Sequence, residues 1–523
     1  MKKVRFGISI ALAVVCMFMV LSTLADYDNH HTISYANTLF REGVDYNSDD
    51  MAKAFNEKFN ISIEPIPLGG DQDAQTRIWI NAGTMPDVVA WNLNYIDYLN
   101  YTSQGLFKPL PEDYEARYPN IAKATTMVHT VETLKESAGD RLYTIPHVVY
   151  ANPPSNPIIN HTTLFYRKDW LEAIGEEPWG YTVGIEKVLE VAKKFMEQDP
   201  GGNGPGNTSG FVPSMSYLPT HLFVFGAYDP YVTGGNPPKQ FAKIDGEYVW
   251  MPGQDVTLET LKFFQQCYED GIIYKDFYSI QGREYRDFFY AEKVGLMLED
   301  GNVNSLFDRN QQFATATGKD PNECIGYSIM LGFDGKFIGH EMPNTWQYNV
   351  FSPTLDDDKF DRILGWMDYS CTDEAQNMIR MGFQDKDYIV QADGEIDIVR
   401  ETYEDTGVFK AVRDIYPYCD ALRALTILPD NFAQSDPAIP KRLRDSFFAL
   451  FAAKEQYGLL SRIDLPLDFY SSPNYDNLNI NIMDEYVAMV LKGGDIEASW
   501  LEWVQKCEPL VAPILKELNE NLR

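Results

Sequence analysis

The chain of 523 residues is too long for a single hydrophobic core and predicts two domains, with three as the alternative. Its 76 Asp and Glu residues outnumber 44 Lys and Arg residues, which gives a formal net charge of −32. This balance argues against nucleic acid as a partner, because phosphate binding needs a basic surface. Hydrophobic residues make up 45% of the chain, which argues against global disorder.

The N-terminus has the pattern of an export signal. Lys2, Lys3 and Arg5 precede an apolar stretch at residues 6–25. This stretch exceeds the usual apolar region of a signal peptide, about 7–15 residues, and is also long enough to span a bilayer. Residues 1–25 are therefore predicted to be either a cleaved signal peptide or an N-terminal anchor. In both cases we expect an exported protein, extracellular or associated with the cell surface and membrane.

Hydrophobic periodicity in the first part of the chain predicts strands alternating with helices. The predicted order is a strand at 33–39, a helix at 49–59, a strand at 61–66, a helix at 76–81 and a strand at 87–91. Such alternation is typical of a parallel or mixed α/β sheet. Ligands of these sheets gather beyond the carboxyl ends of the strands.

The rest of the chain continues with both element types. A breaker-rich stretch at 151–157 predicts a lobe boundary, and a helical C-terminal quarter is expected. Between them we predict a strand at 163–166, an amphipathic helix at 185–196, a helix at 258–268 and a strand at 294–298. Five widely spaced cysteines follow the N-terminal segment without a CxxC motif, so buried thiols are expected, with one disulfide as the alternative.

Seven stretches in a fixed order carry a family resemblance. They are residues 82–89 (AGTMPDVV), 142–146 (LYTIP), 164–171 (LFYRKDWL), 246–250 (GEYVW), 268–273 (YEDGII), 293–298 (KVGLML) and 491–503. With these motifs the chain resembles the extracellular solute-binding proteins of ABC importers, carbohydrate family 1, in their lipoprotein-like branch from Gram-positive bacteria. The likeness runs from about residue 32 to the end.

The resemblance implies an α/β fold: a two-lobed, periplasmic-binding-protein-like clamshell of type II with discontinuous lobes. Lobe 1 would hold residues 26–162 and 343–435, and lobe 2 would hold 163–342 and 436–523. The implied function is capture of a solute and its delivery to an ABC permease in the membrane. We expect a monomer that binds a neutral oligosaccharide, without a cofactor and without chemistry on the ligand.

A sugar site combines flat aromatic surfaces with planar hydrogen-bonding side chains. Trp91, Asn92 and Asn94 end or follow the strand at 87–91, where the resemblance also places sugar contacts. Asp71 and Gln72 lie in the loop after the preceding strand. These five residues are therefore candidate ligand contacts on the first lobe.

Six further candidates lie near the lobe crossings or on the second lobe. They are Asn160 and His161 before the crossing strand, Asp300 and Asn302 after the strand at 294–298, Trp346 near the second crossing, and Trp250. For Trp250, a structural role in a distal hairpin is the alternative. The acidic net charge argues against an anionic ligand, although Arg41, Arg77 or Arg167 could offset it locally.

Enzyme functions are disfavoured by the motifs. Glu299 and Asp300 are a tempting carboxylate pair for a glycoside hydrolase, but adjacent residues of a strand point in opposite directions. The seven histidines show no metal-ligand spacing. A secreted carbohydrate-active enzyme and a glycan-sensing or adhesion subunit remain the alternatives to a binding protein for transport.

The stretch DPGGNGPGNTSG at residues 199–210 resembles the start of an EF-hand-type calcium loop found in this branch. Asp199 and Asn203 keep the first and third ligand positions of such a loop. Gly201 stands at the second position and offers no side chain, and Asn207 replaces a later acidic ligand. Calcium prefers six to eight oxygen ligands, several of them charged. We therefore expect a metal-free turn, with bound calcium as the alternative.

Overall fold

The computed structural model describes most of the chain outside the N-terminus. It covers residues 29–69, 71–128, 130–148, 162–218, 240–337, 345–392, 395–404, 409–423, 437–457 and 464–522. The predicted signal or anchor at residues 1–25 lies outside this part, as do the candidate contacts Asn160 and His161.

The strands alternate with helices as the periodicity predicts. In chain order they are β1 (His31–Asn37), β2 (Ile61–Pro67), β3 (Val88–Trp91), β4 (Thr144–Val148), β5 (Thr163–Arg167), β6 (Thr182–Gly184), β7 (Phe241–Ile244), β8 (Glu247–Trp250), β9 (Leu296–Glu299), β10 (Ile325–Leu331), β11 (Thr345–Phe351), β12 (Tyr388–Val390) and β13 (Ile396–Ile398).

The helices up to residue 317 are α1 (Asp50–Phe59), α2 (Gln72–Ala82), α3 (Tyr95–Ser103), α4 (Tyr114–Arg117), α5 (Pro119–Met127), α6 (Thr130–Ser137), α7 (Lys168–Ala173), α8 (Ile185–Gln198), α9 (Asp255–Glu269), α10 (Tyr285–Tyr290) and α11 (Val303–Thr317). They continue with α12 (Pro321–Cys324), α13 (Asp357–Ser370), α14 (Asp373–Met381), α15 (Val412–Ile415), α16 (Cys419–Arg423), α17 (Lys441–Tyr457), α18 (Leu465–Asp468), α19 (Pro473–Asn477), α20 (Ile482–Lys492) and α21 (Ile496–Asn521). The helical C-terminal quarter is thereby confirmed.

The first sheet has the strand order β2-β1-β3-β11-β4. β1 pairs in parallel with β2 and β3, whereas β11 lies antiparallel to both β3 and β4. The strand–helix alternation before residue 92 produces the parallel part, because a parallel pair needs a crossover that a helix supplies. Residues of this sheet share one core with α13, in which Trp91 and Trp366 are fully buried.

The second sheet has the order β6-β10-β5-β9. β5 pairs antiparallel with β10 and with β9, and β6 lies parallel to β10. Two clusters of buried side chains cover this sheet, one built on α8, α9 and α21 and the other on α11 and α17. The fold is therefore α/β with one sheet in each of two lobes, as predicted. The residue boundaries that we assigned to the lobes stay a prediction.

The amphipathic pattern places the helices as expected. In α1 the predicted apolar face of Met51, Phe55 and Phe59 is buried, and the side chain of Asp49 caps the helix by accepting a hydrogen bond from the Ala52 amide. α8 buries Ile185, Val188, Val191, Ala192 and Phe195 and ends at Asp199 in the left-handed conformation. Amphipathicity therefore fixes which face of each helix covers its sheet.

Two further observations concern the cysteines and the helix lengths. Each of the five cysteines after the N-terminal segment is a free thiol, and all except Cys371 are buried. Within the described ranges, no helix combines the length and the hydropathy that a membrane crossing requires.

The close packing of β10 on β5 predicts the effect of one methyl group. Gly326 pairs with Tyr166, and a Cβ at position 326 would overlap the Tyr166 ring. We expect Gly326→Ala to lower the free energy of unfolding by about 1–3 kcal/mol, as overpacking does. Gly180→Ala is the matched control, because its added Cβ meets no atom within 4 Å and its backbone is unstrained. The midpoint of urea unfolding measures both variants, and equal midpoints would contradict the prediction.

Candidate functional site

The chain connections place one edge of each sheet at the junction between the lobes. β4 ends at Val148 and β11 begins at Thr345, and these two residues pair. In the second sheet β5 begins at Thr163, which pairs with Glu299 at the end of β9. Because the connections between the lobes leave from these strand ends, the two edges face one junction. We call this junction the cleft and treat it as the candidate ligand site.

Trp346 lies on the first-lobe side of the cleft, in a β-bulge. Thr345 pairs with Val148 and Gln347 pairs with His147, so Trp346 is the extra residue between two successive ladder pairs. A bulge re-aims the side chain of the inserted residue and often lies near a functional site. The side chain of Trp346 is 49% exposed, which is unusual for so large an aromatic. About half of Trp346 is therefore accessible to solvent at the cleft.

His147 lies beside Trp346 and was not among the predicted contacts. The two ring centroids are 6.1 Å apart with an interplanar angle of 84°, an edge-to-face contact. Burial, reinforced by the positive charge of Arg423, lowers the pKa of His147 to about 4, so the imidazole is neutral at physiological pH. Among the described residues its Nδ1 has no hydrogen-bond partner. A single histidine in a buried strand has no motif, so the sequence offered no signal for it.

The second-lobe side of the cleft carries Asp300 and an arginine that the sequence reading also missed. The Nε of Arg283 donates to the hydroxyl of Tyr217 at 2.8 Å, and its guanidinium lies 5.5 Å from the centre of the Tyr217 ring. Its Nη1 is 3.6 Å from a carboxylate oxygen of Asp300. The side chain of Arg283 is 40% exposed, so a positioned guanidinium and an aromatic ring border the cleft beside Asp300.

Glu299 is fully buried at the end of β9 and is held by cations. Arg286 donates to its carboxylate, the Tyr285 hydroxyl donates at 3.1 Å, and Arg309 lies 3.7 Å away. Burial by itself would raise the pKa of Glu299, but Arg286 and Arg309 outweigh burial and lower it. A carboxyl group with a lowered pKa is a poor general acid, because it is ionised at neutral pH. Glu299 therefore does not supply the protonated acid that glycoside hydrolysis uses.

Two of the predicted tryptophan contacts are corrected by their burial. Trp91 is completely buried; its indole N–H donates to Asp73 at 2.6 Å, and its ring packs near Tyr101. Trp250 is the last residue of β8 in the β7–β8 hairpin and is 4% exposed. Its ring packs on that of Trp503 in α21, with a centroid distance of 5.2 Å. A stacking ring needs an accessible face, and neither residue has one in this structure. Trp250 thus has the buried environment expected for the alternative role, a structural residue of the hairpin.

Three predicted polar contacts cap helices. The side chains of Asp71, Asn94 and Asn302 accept hydrogen bonds from the backbone amides at the starts of α2, α3 and α11, respectively. The position after a strand that made them candidates is also the position before the next helix, where Asp and Asn are favoured caps. Asn92 is exposed at the end of β3. Gln72 holds its buried Oε1 without a hydrogen-bond partner among the described residues.

The three arginines considered for an anionic ligand are engaged by carboxylates. Arg41 pairs with Asp414 at 3.2 Å, and Arg77 pairs with Asp97 at 2.8 Å. Arg167 is fully buried against Asp169 and Glu292. Each of the three guanidinium groups thus already has a carboxylate partner, although only Arg167 is buried and Arg41 and Arg77 are 38% and 43% exposed.

The loop at residues 199–210 satisfies its carboxylate internally. Asp199 accepts from the amides of Asn203 at 3.0 Å and Gly204 at 2.7 Å, and from the hydroxyl of Thr208 at 2.5 Å. The side-chain amide of Asn207 donates to the backbone carbonyl of Asn203 at 3.0 Å. The three hydrogen bonds to Asp199 use most of the about four acceptor positions of its carboxylate. Gly202, Gly204 and Gly206 have positive φ and form the predicted turn.

Position 201 of this loop lacks a side-chain oxygen because only glycine fits there. A Cβ there would lie 2.5 Å from the Glu292 carbonyl and 2.7 Å from the Trp170 ring. The close approach of the loop to Glu292 and Trp170 therefore requires glycine at position 201. Within the part of the chain that the structure covers, no group of three or more His, Cys, Asp or Glu side chains is arranged to hold a metal ion.

The sequence matches a known family over more than half its length. The model of the family "Bacterial extracellular solute-binding protein" matches residues 50–349 of the 523-residue chain. Lipoprotein LipO of Bacillus subtilis (strain 168) is 22% identical over 338 residues, which cover 64% of this chain and 59% of LipO. The polygalacturonan/rhamnogalacturonan-binding protein YtcQ of the same organism is 22% identical over 255 residues, covering 49% of this chain and 46% of YtcQ. The matches thus span about half the length of these relatives.

The fold is similar to that of solved binding proteins. The ABC-transporter substrate-binding protein FusA of S. pneumoniae, an EF-hand mutant in complex with fructo-nystose, superposes with a TM-score of 0.65. The alignment covers 94% of this chain and 98% of that chain at 15% identity. This likeness shows that the two chains share a fold.

The buried position of Glu299 predicts a pH-dependent stability effect. We expect Glu299→Gln to lower the free energy of unfolding by about 3–5 kcal/mol at pH 7, because it leaves Arg286 buried without a counter-charge. The folded-state pKa is lowered, so the carboxylate stabilises the protein above the ordinary glutamate pKa of 4.5 and loses this effect as the pH falls through the folded value. The difference between the variant and the native protein should therefore shrink toward pH 3.

Denaturant unfolding at pH 7 and at pH 3 measures this difference. Glu259→Gln is the control, because Glu259 forms an exposed pair with Lys262 and its loss should cost less than about 1 kcal/mol. A difference between the Glu299→Gln variant and the native protein that is independent of pH would contradict the assigned ionisation.

The occupied oxygens of Asp199 predict that the loop does not respond to calcium. We expect the melting temperature to be the same in millimolar calcium and in chelator, because binding would have to displace three hydrogen bonds for one formal charge. Differential scanning calorimetry measures this directly, with magnesium as the control ion. A rise of several degrees in calcium alone would show that the loop rearranges into a site.

Proposed function

We propose, because the chain belongs to the family of bacterial extracellular solute-binding proteins, that it captures an oligosaccharide in the cleft and delivers it to an ABC-transporter permease. The protein would act outside the cytoplasm as a monomer that needs no cofactor. Closure of the lobes around the solute would present it to the permease. The ligand would leave unchanged.

The observation that carries the proposal is the exposed Trp346 in its β-bulge at the cleft. A sugar ring presents apolar C–H groups on its faces, and an accessible indole covers such a face. The polar edge of the sugar would meet the exposed guanidinium of Arg283 on the other lobe, whereas His147 and Asp300 are largely buried beside Trp346 and Arg283, respectively. An aromatic surface with a few convergent polar groups is typical of a small-molecule site.

The relatives support an oligosaccharide as the ligand class. YtcQ is a polygalacturonan/rhamnogalacturonan-binding protein, and the structure of the FusA EF-hand mutant holds fructo-nystose. We propose a neutral ligand for this chain, because Arg41, Arg77 and Arg167 are already paired with carboxylates. An anionic sugar would meet a strongly acidic protein without these three charges.

The proposal also covers the lobe division and the remaining contacts. We infer that lobe 1 holds residues 26–162 and 343–435 and that lobe 2 holds 163–342 and 436–523. Asn92 is an exposed polar side chain at the strand end on lobe 1 and stays a candidate contact. Asn160 and His161 stay predictions outside the described residues.

We also propose that the protein is not an enzyme. The candidate acid Glu299 is fully buried and its pKa is lowered by the neighbouring arginines. Hydrolysis of a glycosidic bond requires a protonated carboxyl group beside the leaving oxygen. Glu299 does not meet this requirement, which supports binding without turnover.

Calorimetric titration with a panel of neutral and uronate-containing oligosaccharides tests the proposal. We expect saturable heat with at least one neutral oligosaccharide, and Trp346→Ala should raise its dissociation constant about tenfold or more. Phe448→Ala is the control, because Phe448 on α17 is similarly exposed, at 47%, and should leave binding unchanged. The panel separates the two sugar classes in one experiment.

Three outcomes would contradict parts of the proposal. Heat only with peptides or other solutes would overturn the ligand class. Preference for uronates would overturn the neutral ligand. Appearance of shorter saccharides during incubation, detected by chromatography, would show turnover and identify an enzyme.

A further inference from the structure

Two consecutive residues near the C-terminus pack against different lobes. The side chain of Tyr470 packs against the core of the second lobe, whereas that of Phe469 packs against the core of the first. The ring of Phe469 meets the ring of Tyr95 edge-to-face, with a centroid distance of 4.7 Å and an interplanar angle of 87°. Phe469 thus reaches across from one lobe to the other.

The backbone on both sides of Phe469 is anchored in the second lobe. Leu467 and Tyr475 are buried in the core of that lobe, at 1% and 4% exposure. Asp464 accepts a hydrogen bond from the hydroxyl of Tyr248 at 3.2 Å, which ties the start of the segment to β8. Phe469 is therefore carried by the second lobe and moves with it.

Glu517 on α21 anchors the end of the same segment. Its carboxylate accepts from the hydroxyl of Ser472 at 2.6 Å and from the side-chain amide of Asn474 at 2.5 Å. These charge-assisted hydrogen bonds lower the pKa of Glu517 and hold the turn before α19 in one geometry. The segment that carries Phe469 is therefore held by contacts within the second lobe.

Tyr95 is equally well placed on the first lobe. It is the first residue of α3 and follows Asn94, which caps that helix, directly after the cleft end of β3. Tyr95 also packs against the first-lobe core. The contact between Tyr95 and Phe469 consequently joins the two lobes.

We propose that Phe469 is a positioning residue that holds the lobes closed over the ligand through its contact with Tyr95. The inference rests on the proposed binding function for its effect on affinity, but not for its effect on lobe closure. Phe469 acts through the lobe arrangement and does not itself bind the sugar. Because the two rings belong to different lobes, a movement that parts the lobes at this point breaks the contact, so the contact favours the lobe arrangement of this structure.

The contact affects affinity because a ligand held by both lobes binds only the closed arrangement. The apparent dissociation constant rises when the fraction of competent protein falls. Loss of one edge-to-face pair and its apolar burial is expected to weaken binding about tenfold. The change should appear mainly in the dissociation rate, because the closed complex opens more readily.

Small-angle X-ray scattering and stopped-flow binding test the proposal on the full exported chain. Ligand-free Phe469→Ala should show a larger radius of gyration than the native protein. With the oligosaccharide that gives the strongest heat in the panel, its dissociation rate should rise about tenfold with little change in the association rate. Phe469→Tyr keeps the ring and should restore both properties to nearly native values.

A double-mutant cycle separates the contact from general destabilisation. Phe469→Ala and Tyr95→Ala should each weaken binding, and the double variant should be no weaker than the worse single variant. Ser471→Ala is the neighbouring control, because the Ser471 hydroxyl bonds only to the exposed Asp476 within the described contacts and should change neither readout. If Phe469→Ala fails to fold, Phe469→Leu takes its place.

The outcomes distinguish this proposal from the proposed function. A radius of gyration and a dissociation rate that match the native values in Phe469→Ala would overturn the positioning role. Fully additive effects in the cycle would overturn it as well. A native protein that binds no oligosaccharide would overturn the proposed function, while the scattering comparison would still decide whether Phe469 closes the lobes.

Discussion

The insertion of β11 between β3 and β4 is the constraint on which the rest of the structure depends. This strand returns from the second lobe, so the first sheet is complete only when distant parts of the chain have paired. Asn349 in β11 is fully buried and bonds across the sheet: its Oδ1 accepts from the Tyr35 hydroxyl at 3.1 Å, and the Thr144 hydroxyl donates to its carbonyl at 3.0 Å. The same strand brings Trp346 to the cleft. One pairing therefore sets both the lobe architecture and the candidate site.

A few cations of this acidic chain are buried and hold distant segments together. Arg362 is almost completely buried and donates to the carbonyl oxygens of Asn29 and Phe59, both at 2.9 Å, which ties α13 to the start of β1 and the end of α1. Arg167 and the cations around Glu299 serve similarly in the second lobe. Because buried charges must be paired, these arginines are not available to an incoming ligand. At the cleft itself, the half-exposed Trp346 lies on one lobe and the ion pair of Arg283 with Asp300 on the other.

Sequence reasoning predicted the ligand contacts at strand ends, and the structure shows that several of these side chains are buried or cap helices instead of being exposed there. Trp91 and Asn94 do lie at the end of β3, as expected. The ring of Trp91 nevertheless turns into the core, and Asn94 turns back to cap α3. The position of a residue along the sequence predicts that it lies at the end of a strand. The direction of its side chain depends on the neighbours that pack around it. His147, Arg283 and Phe469 could not be found because their roles arise from contacts between distant segments.

The sequence by itself determined the α/β class, the amphipathic faces of α1 and α8, the glycine turn after Asp199 and the family of the chain. These features depend on local periodicity, on capping and on backbone conformation, all of which are encoded within a few neighbouring residues. Only the tertiary structure decided that Trp346 is exposed while Trp91 and Trp250 are buried, that Glu299 is held ionised, and that Phe469 reaches the opposite lobe. Those outcomes depend on pairing register and on packing between residues far apart in the chain, and no local pattern specifies them.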